Sequence, residues 1–298
     1  MQRALKIEAV STLNGRVDLH RYGDVSELHP YPLLLDHGGL QNERGWLPQL
    51  IPMLVQQGIC CVSFDHLGHG ANRADALQQF GIADRVAATE AAYLSLQAEF
   101  GGCAVLGHSV GGMTVQMLMN DAAFKPDRVI LLNPLGRNFY APVLGAYLTS
   151  PLTMLGITAM GLAQEILHVQ WAPRVMFHDL LSRDLALIRG LFLGEVDEDS
   201  ARAFCDELFD DESFKLFVQV AFLGWWYQGL GAGKRAYPVH VIGSLQDHLV
   251  PATEVLRVAQ RWQADSTTLF PDRPHMMHLR PDFAVITHLI ARQLALKP

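Results

Sequence analysis

Short apolar runs without alternation recur along the chain, at residues 32–35, 59–64, 103–106, 128–132, 239–242 and 266–270. Runs of four to six β-formers suit strands covered on both faces, as in a parallel sheet. The N-terminal stretch differs. Residues 5–10 alternate, Asn14-Gly15 makes a turn signal, and residues 16–22 alternate again, which predicts a hairpin at a sheet edge. Helical patterns lie between the later runs. Val86, Tyr93, Leu96 and Phe100 share one face behind Asp84 as a cap; Pro251 opens a helix with Val255, Val258 and Trp262 inward; Phe283, Ile286, Ile290 and Leu294 form a last stripe. Strands alternating with helices predict a doubly wound, mostly parallel α/β sheet. The alternation breaks from about Gly136 to Arg235, where several helical patterns and no convincing strand occur. The expected organisation is therefore a core domain of residues 1–135 and 236–298 with a helical cap, residues 136–235, inserted into it.

Composition narrows this picture. Half of the 298 residues are hydrophobic, enough for a large buried core. A net charge of −7 without a dense basic patch argues against a nucleic-acid partner. Cys60, Cys61 and Cys103 fall in apolar runs and read as buried thiols, and with Cys205 they form no Cys-x-x-Cys pair. Residues 1–10 mix charge with apolar residues and contain no apolar signal core, so a reducing, cytoplasmic setting is the expectation.

The candidate chemistry sits where strands end. Gly107-His108-Ser109-Val110-Gly111 follows an apolar strand and precedes a helix with Val110, Met113 and Met117 on one face. A tight strand-to-helix turn lifts a serine out of the sheet, and flanking glycines give the neighbouring backbone room. The blander reading is a glycine-rich turn with a surface serine. A serine nucleophile needs a base within about 3 Å, and that base needs an orienting partner. Asp247, after the run 239–242, falls on the same strand-end edge and fits the orienting acid; the plain alternative is a turn aspartate. The position after the run 128–132, a rival for the acid, carries Asn133. His275 follows the last strand and is favoured as the base over His278, which reads as the start of the last helix. Asp36-His37-Gly38-Gly39-Leu40 follows the first core strand. The amides of Gly39 and Val110 are the expected oxyanion donors, with Leu40 as the fallback, each such donor being worth about 3 kcal/mol.

On these segments, together with Phe64-Asp65-His66-Leu67-Gly68-His69-Gly70 and Val250-Pro251, the chain resembles the α/β-hydrolase superfamily over nearly its whole length. The order serine, acid, histidine is the family's order. It is most similar to capped esterases and lysophospholipase-like members. One departure bears on the branch and not on the triad: members often carry serine soon after Gly70, and here Ala71-Asn72-Arg73 follows. Asp65, His66 and His69 could suggest a metal site, but the resemblance implies a structural turn there. A serine at the elbow also separates the chain from the dehalogenase and epoxide hydrolase branches, which carry aspartate.

The resemblance and the triad together imply a carboxylic ester hydrolase that forms an acyl-enzyme on Ser109 and needs no cofactor. Carbon–carbon bond hydrolysis, acyl transfer and non-catalytic ligand binding are the alternatives. Two stretches, 138–164 and 216–233, carry no charge and are rich in large apolar residues. They are expected to line an apolar acyl or aryl pocket, with plain packing and surface contact of the cap with lipid as the competing readings; Pro142 and Pro151 argue against a spanning helix. The acidic run from Glu195 to Glu212 reads as the solvated face of a cap helix. Oligomeric state leaves no trace in the sequence.

Overall fold

The computed structural model describes residues 6–72, 77–137, 140–167, 177–227, 231–280 and 282–295. Two alternating segments, β1 (Lys6–Ser11) and β2 (Arg16–Tyr22), pair antiparallel as the hairpin predicted from Asn14-Gly15. Then follow β3 (Leu33–Asp36), β4 (Cys61–Phe64), β5 (Ala104–His108), β6 (Val129–Leu132), β7 (Val239–Ser244) and β8 (Ser266–Phe270). All eight form one sheet in the order β1-β2-β4-β3-β5-β6-β7-β8. β2 pairs antiparallel with β4, and every pair from β4 to β8 is parallel.

The unbroken apolar runs follow from coverage on both faces. Along β3, Leu34 faces one core layer while Leu33 and Leu35 face the other; along β6, Val129 and Leu131 oppose Ile130 and Leu132. Successive strand residues point to opposite faces, so both sets must be apolar. One layer is closed by α2 (Ile82–Phe100), α3 (Val110–Leu118) and α10 (Ala252–Trp262), the other by α1 (Leu50–Gln56) and α11 (Ala284–Ala295). This is the doubly wound α/β architecture of the expectation. All four cysteines are buried and free.

Details of the helix ends differ from the sequence reading. Gly81, not Asp84, is the cap residue of α2; Asp84 sits in the first turn and its carboxylate accepts the Gly81 amide at 2.8 Å. His278 belongs to a short turn, Met277–Leu279, ahead of α11 and not to its first turn.

Between β6 and β7 the described chain is helical: α4 (Tyr140–Thr149), α5 (Pro151–Leu167), α6 (Phe177–Leu181), α7 (Leu185–Ile188) running into a wide turn over Arg189–Leu193, α8 (Glu198–Glu207) and α9 (Phe214–Tyr227). The segment has its own apolar cluster, including Met154, Ile157, Ile188, Phe192 and Phe204, and this cluster reaches Leu249 and Met276 on the strand-end loops of the sheet. Of the segments and residues singled out above, position 5, Arg73, positions 138–139 and positions 228–230 lie outside the described residues, as do the side chains at 140–143, 160–164 and 221–227, Pro142 among them. Among the described residues, no helix is long and apolar enough to cross a membrane.

Candidate active site

Because β3, β5, β6, β7 and β8 run parallel, the loops after them gather at one edge of the sheet. Those loops carry Gly39, Ser109, Asn133, Asp247 and His275, so residues spread over most of the chain converge there.

Ser109 joins β5 to α3 with φ +55° and ψ −117°, a backbone region that side chains rarely adopt. Its surroundings brace the strain: the Ser109 amide donates to Leu132 O at 3.1 Å, and its carbonyl accepts from Leu135 N at 3.0 Å and Met113 N at 3.1 Å. A Cβ on Gly111 would run into the carbonyl of Asp36, which explains the glycine after the elbow.

His275 is 1 % exposed and Asp247 3 % exposed. Asp247 Oδ1 accepts the amides of Leu249 (2.9 Å) and Val250 (2.7 Å), which leaves Oδ2 for His275 Nδ1 at 2.7 Å. Nδ1 therefore carries the proton of the neutral ring and Nε2 keeps its lone pair. Among the described residues Nε2 has no hydrogen-bond partner, so the link to the Ser109 hydroxyl is not closed. Such links are often long in ligand-free enzymes and tighten when substrate binds. The carbonyl of His275 is held twice, by Asn133 Nδ2 at 2.9 Å and His108 Nε2 at 3.2 Å. Asn133 thus stands at the rival acid position as a donor that anchors the histidine loop.

His278 is buried against Trp46 and His108, with ring centroids 4.7 and 4.6 Å away, and neither of its nitrogens has a partner among the described residues. Burial, with His275 nearby, pushes its pKa down to about 3. Without a carboxylate it lacks the arrangement that His275 has.

The loop after β3 lies against the elbow; a Cβ on Gly39 would stand 3.1 Å from Val110 Cγ2. Neither the Gly39 nor the Val110 amide donates to a protein acceptor among the described residues. The fallback donor Leu40 is occupied: its amide donates to Glu212 Oε2 at 3.3 Å. Leu40 also has φ +59°, a conformation that costs a branched residue roughly 1 kcal/mol or more and so needs holding in place.

Glu212 corrects the reading of the acidic run. Glu198, Asp199 and Glu207 are exposed on α8 as expected, but Asp210, Asp211 and Glu212 are 6, 1 and 6 % exposed. They turn into the core. Asp210 Oδ2 accepts Gly70 N at 2.7 Å and Asn42 Nδ2 at 3.0 Å, and Glu212 meets Arg85 Nη2 at 3.1 Å and His69 Nε2 at 3.2 Å. Burial opposes the charge of Glu212, but His69, Arg85 and the Ser213 amide outweigh it and hold its pKa at about 2. A run of carboxylates alone looks solvated; the signal missed was its end, where Phe209 and Phe214 bracket the acids and force the loop inward. Arg85, one cation within α2, offered no signal.

Asp65, His66 and His69 are committed to the protein itself. Asp65 caps the amides of Glu43 (2.7 Å) and Ala71 (2.8 Å), His66 Nε2 bonds Asp36 Oδ1 at 2.8 Å, and His69 faces Glu212. Among the described residues no cluster of histidine, cysteine and carboxylate side chains is arranged to hold a metal ion.

Over Ser109 lies a cavity of about 820 Å³, its open mouth included. Ser109 and Glu212 are its polar side chains; the rest of the lining is apolar, from Leu135 and Leu249 below and Ala146, Met154, Ile157, Leu187, Phe192, Leu216, Phe217 and Val220 above. The helical segment supplies most of this wall.

A serine on a tight strand-to-helix turn, a buried Asp–His pair and two amides with no protein acceptor among the described residues lie at one edge of a doubly wound sheet. The model of the alpha/beta hydrolase family matches residues 33–286, and the chain belongs to that family. No curated protein sequence matches it. Similar solved structures include an esterase from Exiguobacterium antarcticum (14 % identity, TM-score 0.65, covering 97 % of this chain and 99 % of that one). A monoacylglycerol lipase from Paleococcus ferrophilus aligns at 18 % identity and TM-score 0.64, covering 94 % and 98 %. A proline iminopeptidase from Mycobacterium smegmatis aligns at 14 % and 0.63, covering 97 % and 99 %. At these identities the likeness establishes the fold. With the family match, it makes the protein a hydrolase of this class.

Proposed function

We propose that the chain is a serine hydrolase that cleaves a carboxylic ester with an apolar acyl or aryl group, through an acyl-enzyme on Ser109. The observation that carries this reading is the position of Ser109: it stands on a strained strand-to-helix turn and lines an apolar cavity, and its neighbour His108 packs against the ring of His275, whose Nδ1 is paired with buried Asp247. Ser109 attacks the ester carbonyl while His275 Nε2 takes the hydroxyl proton. Asp247 holds the ring in the required tautomer and stabilises the imidazolium. The amides of Gly39 and Val110 receive the oxyanion. His275 then protonates the leaving alcohol, and water, activated by the same nitrogen, releases the acid. No step calls for a cofactor.

Residues 136–235 act in this reading as a cap whose inner face selects apolar groups by excluding water from the cavity. The esterase and lipase among the similar structures favour ester over peptide substrates, as does the scarcity of polar lining that could recognise an amine or a peptide backbone.

A panel of p-nitrophenyl esters from acetate to palmitate tests the proposal. Turnover should rise with chain length until the cavity is full, and Ser109→Ala should lose it by a factor on the order of 10⁶ while remaining folded. Equal turnover by the folded alanine variant would refute the assignment.

A further inference from the structure

The loop that carries Gly39 is gripped from two sides by a pair of opposite charges that the chemistry above does not use. Arg85, on the core helix α2, donates from Nη1 to His37 O at 3.2 Å and from Nη2 to Gly38 O at 3.4 Å. Glu212, from the helical segment, accepts the Leu40 amide at 3.3 Å, and its neighbour Asp210 donates its amide to Leu40 O at 2.8 Å. Arg85 and Glu212 meet at 3.1 Å and are 3 and 6 % exposed.

A trans peptide is planar, and its C=O and N–H point in opposite directions. The Gly39 N–H shares its peptide with the Gly38 C=O. Arg85 Nη2 and His37 Nδ1, the latter at 2.8 Å, both donate to that carbonyl and so aim the Gly39 N–H away from themselves. A carbonyl that accepts hydrogen bonds also makes the amide of the same unit a stronger donor. The next peptide carries the Leu40 N–H, and Glu212 takes it, which leaves Gly39 as the free donor of the loop. A lone carboxylate here would repel the charge that develops on the substrate oxygen; the guanidinium facing it offsets that charge.

From this geometry we infer that Arg85 and Glu212 are positioning residues for the oxyanion donor. They set the Gly39 peptide, and because Glu212 comes from the helical segment, a competent oxyanion hole forms only when that segment is docked on the core. The inference rests on the serine-hydrolase reading and adds to it a dependence of chemistry on docking.

The test is steady-state kinetics of the full chain with p-nitrophenyl butyrate, beside inhibition by an aryl trifluoromethyl ketone, whose hemiketal oxyanion would occupy the hole. If the wild type neither turns over the ester nor binds the ketone, the hydrolase reading falls and the inference with it. With an active wild type, Arg85→Met should lower kcat about 100-fold with KM within about threefold, and raise the ketone inhibition constant in step. The pH profile of kcat should keep its shape. Arg85→Lys keeps a charge facing Glu212 but loses the two-carbonyl fork, for an expected loss of about tenfold. Glu212→Gln keeps an acceptor for the Leu40 amide and should cost least, about threefold. If Arg85→Met does not fold, Arg85→Lys, folded by circular dichroism, carries the test. A kcat and a ketone affinity within about twofold of wild type in the folded Arg85 variant overturn the inference, and so does a loss confined to KM.

Discussion

At the sheet edge, the residues of the proposed chemistry come one to a loop, each just beyond the C-terminal end of a strand: Ser109 after β5, Asp247 after β7 and His275 after β8, with Asn133 after β6 holding the histidine loop. In the helical segment they arrive as one run, Asp210 to Glu212, on a loop between α8 and α9. The first arrangement follows from a sheet whose strands are largely apolar on both faces, so that most reactive side chains sit where strands stop. The second depends on which distant amides and cations the loop meets, here Leu40, Gly70 and Arg85. The two regions meet at the cavity, and the proposed function puts the chemistry on its floor and the selection on its walls.

If that division holds, changes to the floor should affect rate and changes to the walls should affect substrate choice. The largest effect of the three that follow falls on the floor. Asp247→Asn leaves the geometry nearly intact but favours the wrong histidine tautomer, and should lower kcat for any accepted ester by about 10⁴-fold. An acyl-length profile measured on the same variant should keep its shape; a changed profile would break the division.

A second effect belongs to the floor's foundations. Asp36, at the end of β3, is fully buried, and burial raises its pKa to about 7 against the opposing pull of Thr89 and Arg85. Its folded-state pKa lies above the unfolded value, so the stabilisation from keeping it protonated is complete below about pH 4 and is lost as pH rises through about 7. The loss amounts to as much as about 4 kcal/mol. Asp36→Asn should remove this slope between pH 4 and 7 in thermal or urea unfolding, and an unchanged slope would contradict the assignment.

A smaller effect is expected on the walls. Met154 is 4 % exposed and lines the cavity from α5. Met154→Trp fills space that a long acyl chain would use. It should reduce kcat/KM for long-chain esters by about 10- to 100-fold while sparing acetate and butyrate, in line with the discrimination a hydrophobic pocket achieves. Uniform loss across the series would indicate damage to the floor instead.

The same contrast explains what is legible in the sequence. Leu33 to Leu35 and Val129 to Leu132 declare a sheet covered on both sides, and Gly107 to Gly111 between a strand and a helix declares the elbow. The pairing of Asp247 with His275 can be anticipated because both follow parallel strands. Asn133 reads only as a missing acid, since nothing local says that its amide reaches the carbonyl of His275 across 142 positions of sequence. The helical segment is harder. Leu148 and Leu152 are 78 and 85 % exposed while Met154 and Ile157 of the same hairpin are buried, so hydrophobicity alone does not reveal which face lines the cavity. Glu212 reads as one more solvated acid, because its partners lie 127 and 143 positions away.

The central claim is that Ser109 becomes covalently acylated. Treating the protein with a fluorophosphonate and mapping the adduct by peptide mass spectrometry tests it directly. The account predicts one modified site, on Ser109, lost in Ser109→Ala and slowed in Asp247→Asn. An adduct on another residue, or none on a protein that still hydrolyses esters, would contradict it.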